Sequence, residues 1–140
     1  GLQSKNKQFS DRRKKTRDIM RKYDKELEGK ADYSLGGHSL GGSIALNTMK
    51  ESKSIRDRVK TVHVFNPGIT PLFNNSIKVD KPIKKELDKK VTIHRVKGDV
   101  VSAHANKEVS FGNLFEYKHG DKDSDILDKH SLDTFTNTEL

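Results

Sequence analysis

The chain has 140 residues, 31% of them hydrophobic and 34% charged, which fits one domain with a thin core. It has no cysteine, which excludes disulfide bonds and thiolate metal sites. The net charge is +8, and no apolar run approaches the roughly 20 residues that a membrane-spanning helix needs. No signal peptide is visible, which favours an intracellular location.

The N-terminal region carries much of the positive charge. Its first 30 residues hold eleven Lys or Arg against five Asp or Glu. After a linking segment, the pattern predicts a helix over residues 11–28, capped by Asp11 and ended by Gly29. Four apolar residues recur there at helical spacing and are expected to face the core: Ile19, Met20, Tyr23 and Leu27. The basic face is either solvated or binds an anionic membrane surface or nucleic acid.

The rest of the chain alternates between strand and helix patterns. The predicted order is a strand at 31–35, a helix at 43–53, a strand at 61–65, a helix at 83–89 and a strand at 91–96. Two short strands at 109–111 and 114–117 are expected to form a hairpin, before an acidic loop at 121–128 and a helix from about 131. This alternation is typical of a single α/β domain with a mostly parallel sheet flanked by helices, here spanning residues 1–140.

A Gly-x-Ser-x-Gly motif lies between the first predicted strand and the helix that follows, as Gly37-His38-Ser39-Leu40-Gly41. In this motif a sharp strand-to-helix turn lifts the serine hydroxyl off the sheet, and small flanking residues avoid clashes. The backbone N–H of Leu40 could then hold a developing oxyanion. A phosphate-binding loop is the alternative, but it would need a Lys-Ser or Lys-Thr pair after the glycines, and none follows. The motif therefore predicts Ser39 as a nucleophile.

A serine nucleophile of this type needs an acid and then a histidine, in that chain order. Asp99 follows a predicted strand directly and is the candidate acid, whereas Asp80 precedes that strand and is the weaker rival. His130 lies late in the chain at a loop-to-helix junction and is the candidate base. His104 and His119 are the alternatives to it.

The other three histidines are poorer candidates for the base. His38 lies inside the motif and cannot turn back onto Ser39, and His63 and His94 lie within predicted strands as core or sheet-face residues. No His-x-x-x-His pair and no carboxylate cluster has the spacing of metal ligands. We therefore expect no metal and no cofactor.

Four segments, in order along the chain, resemble the class 3 (fungal-type) lipases of the α/β-hydrolase superfamily. They are residues 33–45 around Gly-His-Ser-Leu-Gly-Gly, Phe65–Gly68, Gly98–Val101 and His130–Phe135. The resemblance implies a Ser39–Asp99–His130 triad acting on lipid or other acyl esters. In that family a second oxyanion donor and a lid lie upstream of the motif. The roughly 30 residues before it here contain neither, which implies a partial α/β-hydrolase domain without its N-terminal strands and lid.

The sequence therefore predicts a serine-dependent carboxylic ester hydrolase, lipase-like, acting on acylglycerols or phospholipid acyl esters through an acyl-enzyme. The alternative is a catalytically weak or inactive hydrolase-like domain whose basic surface binds membrane or nucleic acid. No sequence-specific nucleic-acid binding is expected, because no aromatic residues interleave with the basic run. Acyl-chain specificity and oligomeric state have no signature in the sequence.

Overall fold

The computed structural model describes residues 2–69, 77–119, 130 and 138–139. The protein is an α/β structure, and its elements follow the chain in the order α1 (Leu2–Glu26), β1 (Tyr33–His38), α2 (Leu40–Glu51), α3 (Lys53–Arg58), β2 (Val59–Phe65), α4 (Lys81–Asp88), β3 (Val91–Val96), α5 (Ala105–Glu108), β4 (Asn113–His119) and β5 (Thr138–Glu139). Strands β1 to β4 are all parallel and lie side by side in chain order. The two residues of β5 pair antiparallel with the end of β4.

The core lies between one face of the sheet and the helices. Because the parallel strands succeed each other in one direction, right-handed crossovers bring the connecting helices to the same face. On that face Val62 and Val64 of β2 are fully buried, whereas His63 between them is exposed on the other face. From α2, Leu46 and Met49 point into the same core and are also fully buried. The strand alternation thus assigns one face to packing, as the period of two in a strand requires.

Helix α1 differs from the sequence prediction in its length and in the face that it buries. It already begins at Leu2, so Asp11 lies inside it and does not cap it. Of the four residues expected to face the core, only Met20 does so. The other three are about half exposed: Ile19 at 47%, Tyr23 at 45% and Leu27 at 51%. The physical reason is position: α1 packs on α2 and α3, which already cover the sheet.

Polar contacts, together with the burial of Met20, hold α1 against the rest of the fold. The guanidinium of Arg58, at the end of α3, lies 2.6 Å from the carboxylate of Asp24 on α1. The hydroxyl of Tyr33, on β1, lies 2.9 Å from both that carboxylate and the carbonyl oxygen of Met20. Arg13 donates to the side chain of Asn47 on α2. The attachment of α1 therefore depends on charge as well as on apolar burial.

The predicted hairpin at 109–111 and 114–117 is wrong. Val109 forms an isolated parallel bridge with Ile77, and β4 pairs in parallel with β3. Gly112 separates the two segments with a φ of +91°, and its N–H donates to the side chain of Asp88 at the end of α4. This bond directs the chain into the sheet alongside β3 and not back onto residues 109–111.

Helices α3 and α5 were not predicted, because six and four residues are too short to show a helical period. Apart from the strand predicted at 109–111 and the elements beyond residue 119, the other predicted helices and strands are present with shifted ends, and β3 has the predicted bounds. The predicted acidic loop at 121–128 and the helix from about 131 lie outside the described residues. Within the described part of the chain, no helix is both long and apolar enough to cross a membrane.

The carboxyl ends of the parallel strands meet at one edge of the sheet. β1 ends at His38 and is followed by Ser39, β2 is followed by Asn66, and β3 leads through a tight turn to Asp99. The first three strands therefore deliver polar side chains to the same place, as the carboxyl ends of parallel strands do in open α/β sheets.

Candidate active site

Ser39 occupies the turn between β1 and α2 in a strained conformation. Its φ of 56° and ψ of −121° lie where residues with a side chain are rarely found. The surroundings hold it there: its N–H donates to the carbonyl of Phe65 at 3.1 Å, and its carbonyl accepts from the N–H of Gly68 at 2.9 Å. The turn thus has the backbone conformation expected for a nucleophile elbow, with Ser39 at its apex.

Of the two glycines on either side of Ser39 in the motif, only one lies where a side chain would clash. A Cβ atom on Gly37 would lie 2.6 Å from the carbonyl carbon of Gly41 and 2.7 Å from the nitrogen of Gly42, so strand and helix could not approach as they do. A Cβ on Gly41 would meet nothing within 4 Å. The expectation that both flanking positions are too crowded for a side chain is therefore wrong for Gly41. Gly42 is a tighter position, because its Cβ would lie 3.1 Å from Pro67.

The imidazole of His130 lies between Ser39 and Asp99. Its Nε2 atom is 2.6 Å from the Oγ atom of Ser39, which is hydrogen-bonding distance. Its Nδ1 atom is 3.0 Å from Oδ1 of Asp99, with the N–H direction off the line of an ideal hydrogen bond. The structure thus brings together the three residues that the sequence analysis selected.

Asp99 is fully buried, and its carboxylate is held by neighbours from its own loop. Oδ2 accepts from the hydroxyl of Ser102 and, at 3.0 Å, from the N–H of the same residue. Oδ1 accepts from the N–H of Val101 at 3.3 Å and faces His130. Hydrogen bonds of this kind compensate for removing a carboxylate from water. The turn at Gly98 and Asp99 therefore also places a buried, hydrogen-bonded carboxylate beside His130.

The backbone of His130 is held by two side chains from the strand ends. Nε2 of His38 lies 2.7 Å from the carbonyl oxygen of His130, and because a carbonyl can only accept, that nitrogen carries the proton. The side-chain amide of Asn66 donates to the same carbonyl at 3.4 Å and accepts from the N–H of Val96 at 2.9 Å. Asn66 is completely buried and links β3 to the segment carrying His130.

The start of α2 supplies positive potential beside Ser39. Leu40 is the first residue of this 12-residue helix, so its N–H has no partner within the helix. The aligned peptide dipoles add a partial positive charge at the same end. Leu40 is therefore suited to stabilise the negative charge that develops on a carbonyl oxygen when the Ser39 oxygen attacks the carbonyl carbon.

His104, His63 and His94 lie on other elements than the turn that carries Ser39. His104 precedes α5, where its N–H donates to the carbonyl of Ile69. His63 and His94 lie on the sheet face opposite the core, with 3.0 Å between Nδ1 of His63 and Nε2 of His94. Burial, together with the charge of His63, lowers the pKa of His94 below its ordinary value of 6.5. His119 ends β4, and its side chain lies outside the described part of the structure.

Two buried residues of this site were missed by sequence reasoning: Ser102 and Asn66. Both were visible as polar residues just after a strand or an acid, but a hydroxyl or amide in a loop is common and does not reveal its partner. The folded arrangement around Asp99 and His130 was needed to recognise them.

Within the described residues, no three His, Cys, Asp or Glu side chains are grouped so that they could bind a metal ion. Comparison of the chain with protein-family models, with curated proteins and with solved structures gave no match. The geometry of the site itself is therefore the basis for inferring a function.

Proposed function

We propose that the protein is a serine-dependent carboxylic ester hydrolase. The observation that carries the proposal is the contact of the His130 imidazole with the Ser39 hydroxyl on one side, at 2.6 Å, and with the buried carboxylate of Asp99 on the other, at 3.0 Å. An oriented Ser-His-Asp arrangement on a strained strand-to-helix turn is the geometry that acyl transfer to a serine requires.

The proposed reaction has two halves. The Ser39 oxygen attacks the ester carbonyl carbon while His130 Nε2 takes the hydroxyl proton, and the N–H of Leu40 stabilises the negative oxygen that forms. The carbon–oxygen bond to the alcohol then breaks, and His130 returns the proton to the leaving alcohol. Water, activated by the same imidazole, attacks the acyl-enzyme and releases the carboxylic acid and free Ser39. Throughout, Asp99 keeps the imidazole in the required tautomer and stabilises its protonated form.

The proposed substrates are acyl esters of lipids, either acylglycerols or phospholipid acyl chains. This finer assignment depends on the resemblance of the residues around Ser39, Asp99 and His130 to the class 3 lipases, and the parallel α/β sheet is compatible with it. A soluble short-chain ester is the better first substrate, because it separates the chemical step from binding to a lipid surface.

Labelling with a fluorophosphonate tests the proposed function directly. We expect the probe to attach covalently to Ser39 in the folded protein, and p-nitrophenyl butyrate to be hydrolysed. Ser39→Ala should abolish both, whereas Ser54→Ala, which removes an exposed serine of α3, should change neither. A folded wild-type protein that neither takes up the probe nor hydrolyses the ester would contradict the proposal.

A second candidate function, binding to an anionic membrane surface, is favoured by the exposed side of α1. Ile19, Tyr23 and Leu27 follow one another at intervals of four residues and are each about half exposed. Lys15 and Lys22 are exposed near them on the helix, and the whole helix has ten basic and four acidic residues. Exposed apolar side chains flanked by lysines are typical of helices that lie in a membrane interface. Phosphate backbones of nucleic acids would not need the apolar residues.

Vesicle sedimentation distinguishes this function from hydrolysis. The Ser39→Ala protein should sediment with vesicles of phosphatidylcholine and phosphatidylserine, more weakly at high salt, and not with phosphatidylcholine alone. Lys15→Gln with Lys22→Gln should weaken this binding about thirtyfold, at about 1 kcal/mol per lysine. Lys14→Gln with Lys25→Gln, on another side of α1, is the control of equal charge. Binding to DNA as strong and as salt-dependent as binding to the anionic vesicles would contradict the proposed membrane binding. Equal losses of vesicle binding in the two pairs of variants would also contradict it.

A further inference from the structure

We propose that Ser102 is a positioning residue that holds the carboxylate of Asp99 toward His130. The inference depends on the proposed hydrolase function for its catalytic consequence, but the contact itself is independent of that function. Ser102 and Asp99 are both completely buried, three residues apart in the loop after β3. Neither side chain can therefore exchange its partner for water.

The direction of the hydrogen bond between them is fixed by the chemistry of a third residue. Nε of Arg95 donates to Oγ of Ser102 at 3.3 Å, and a guanidinium has no acceptor. The serine oxygen thus accepts from Arg95, and its own proton points to Oδ2 of Asp99. The result is an ordered chain from guanidinium through hydroxyl to carboxylate, in which each donor has one acceptor.

Arg95 is itself held at both ends of its guanidinium. Nη2 donates to the carbonyl of Asp99 at 3.1 Å, and Nη1 lies 3.4 Å from the carboxylate of Glu116 on the neighbouring strand β4. Arg95 is 8% exposed, so this arrangement is shielded from solvent. The parallel pairing of Arg95 with Glu116 in the sheet fixes the starting point of the hydrogen-bond chain.

The consequence concerns which oxygen of Asp99 faces the imidazole. Because Oδ2 receives both the hydroxyl and the N–H of Ser102, Oδ1 remains directed to Nδ1 of His130. Without the hydroxyl, only the N–H groups of Val101 and Ser102 would hold the carboxylate, and the correct tautomer of His130 would be less well fixed. A serine in this role acts through Asp99 and does not touch the substrate.

The kinetic test compares three variants at two buried serines. Ser102→Ala should lower kcat for p-nitrophenyl butyrate about 10–100-fold, by analogy with the loss seen when the outer hydrogen-bond partner of a metal-ligating side chain is removed. The KM of Ser102→Ala should stay unchanged. Ser102→Cys keeps the shape of the side chain but is a weak donor, so its kcat should lie between those of the wild type and Ser102→Ala. Ser52→Ala removes another buried serine, at the start of α3, and should leave kcat per folded molecule unchanged. Loss of stability with an unchanged kcat in Ser102→Ala would show a merely structural role and overturn the proposal.

A spectroscopic test does not depend on catalysis, and its decisive measurement is made on the wild-type protein. In the wild-type protein, proton NMR should show the Ser102 hydroxyl proton as slowly exchanging and the His130 Nδ1 proton far downfield, as for an imidazole bonded to a carboxylate. The Ser102→Cys protein should shift the latter resonance. A Ser102 hydroxyl that exchanges freely with water in the wild type would overturn the contact. If these resonances appear but no ester is hydrolysed, the hydrolase function fails while the positioning contact stands.

Discussion

Ser39 and His130 lie 91 residues apart in the chain, yet Oγ of Ser39 and Nε2 of His130 are 2.6 Å apart in the folded protein. The contact joins a turn that is fixed locally, between β1 and α2, to a residue whose position is fixed by distant partners. His38 and Asn66 hold its carbonyl, and Asp99 faces its ring. Each part of this arrangement can be changed separately by substitution.

Asp99→Asn should lower kcat about 10⁴-fold, because an amide at this position favours the wrong tautomer of His130. The protein should remain folded, since the two side chains have almost the same shape. Steady-state kinetics on a soluble ester and a thermal melt measure the two effects. Asp80→Asn is the matched control: Asp80 accepts from the N–H of Ile83 at the start of α4, and asparagine can replace it there. Equal losses of activity in both variants would contradict the assignment of the acid.

Gly37→Ala should disrupt the elbow, because the added methyl group would lie within 2.7 Å of the backbone of Gly41 and Gly42. We expect a loss of about 1–3 kcal/mol in the free energy of unfolding and little remaining activity. Gly41→Ala should instead be tolerated or stabilise α2 by up to about 1 kcal/mol, because the space is open and alanine is the better helix former. Chemical denaturation of both proteins checks the prediction, and the reverse order of stability would refute it.

Asn66→Gly should lower both stability and kcat. Glycine is chosen because Asn66 has a φ of 44°, which glycine adopts without strain. The change leaves the N–H of Val96 without its acceptor and removes one of the two donors to the carbonyl of His130, which should cost about 1–3 kcal/mol of stability. Urea denaturation and kinetics on the same ester measure the two losses. Asn47→Gly is a control away from the site, and an undiminished kcat in Asn66→Gly would exclude a role in holding His130.

Stability should fall in acid partly through Asp24. The hydrogen bonds with the Arg58 guanidinium and the Tyr33 hydroxyl hold the pKa of Asp24 below its ordinary value of 3.8 in the folded state. A carboxyl whose pKa is lower when folded stabilises the protein above that value and loses this contribution as the pH falls below it. Asp24→Asn should therefore reduce stability at pH 6, with a difference from the wild type that shrinks toward pH 3. Asp32→Asn, at a more exposed ion pair with Lys60, should show a smaller difference at every pH.

The strand and helix assignments could be read from the sequence where periodicity was long enough. The runs from Thr61 to Phe65 and from Val91 to Val96 are predicted as strands because both are rich in β-branched residues, which favour strands. Helix α3 and the four-residue α5 are not predicted, because one turn or two cannot reveal a period. The hairpin prediction failed for another reason: the partner of β4 is β3, and no local pattern encodes a non-local pairing.

Helix α1 illustrates the same limit at the level of burial. Its apolar spacing is helical and the helix exists, but Ile19, Tyr23 and Leu27 remain exposed because α2 and α3 already occupy the sheet face. Periodicity can report which residues share a side of a helix. It cannot report whether another element is available to cover that side.

The sequence by itself determined the strand-to-helix turn at Ser39, because such a turn is encoded by neighbouring residues. It also selected Asp99, which follows a predicted strand, and His130, which lies late in the chain. Only the tertiary structure decided that these three side chains meet, that Gly37 and not Gly41 is confined, and that Ser102, Arg95 and Asn66 support the site. The physical reason is that a hydrogen bond between residues far apart in the chain requires a donor–acceptor distance that is correct to within a few tenths of an ångström. Such distances are set by packing of the whole sheet and not by any local pattern.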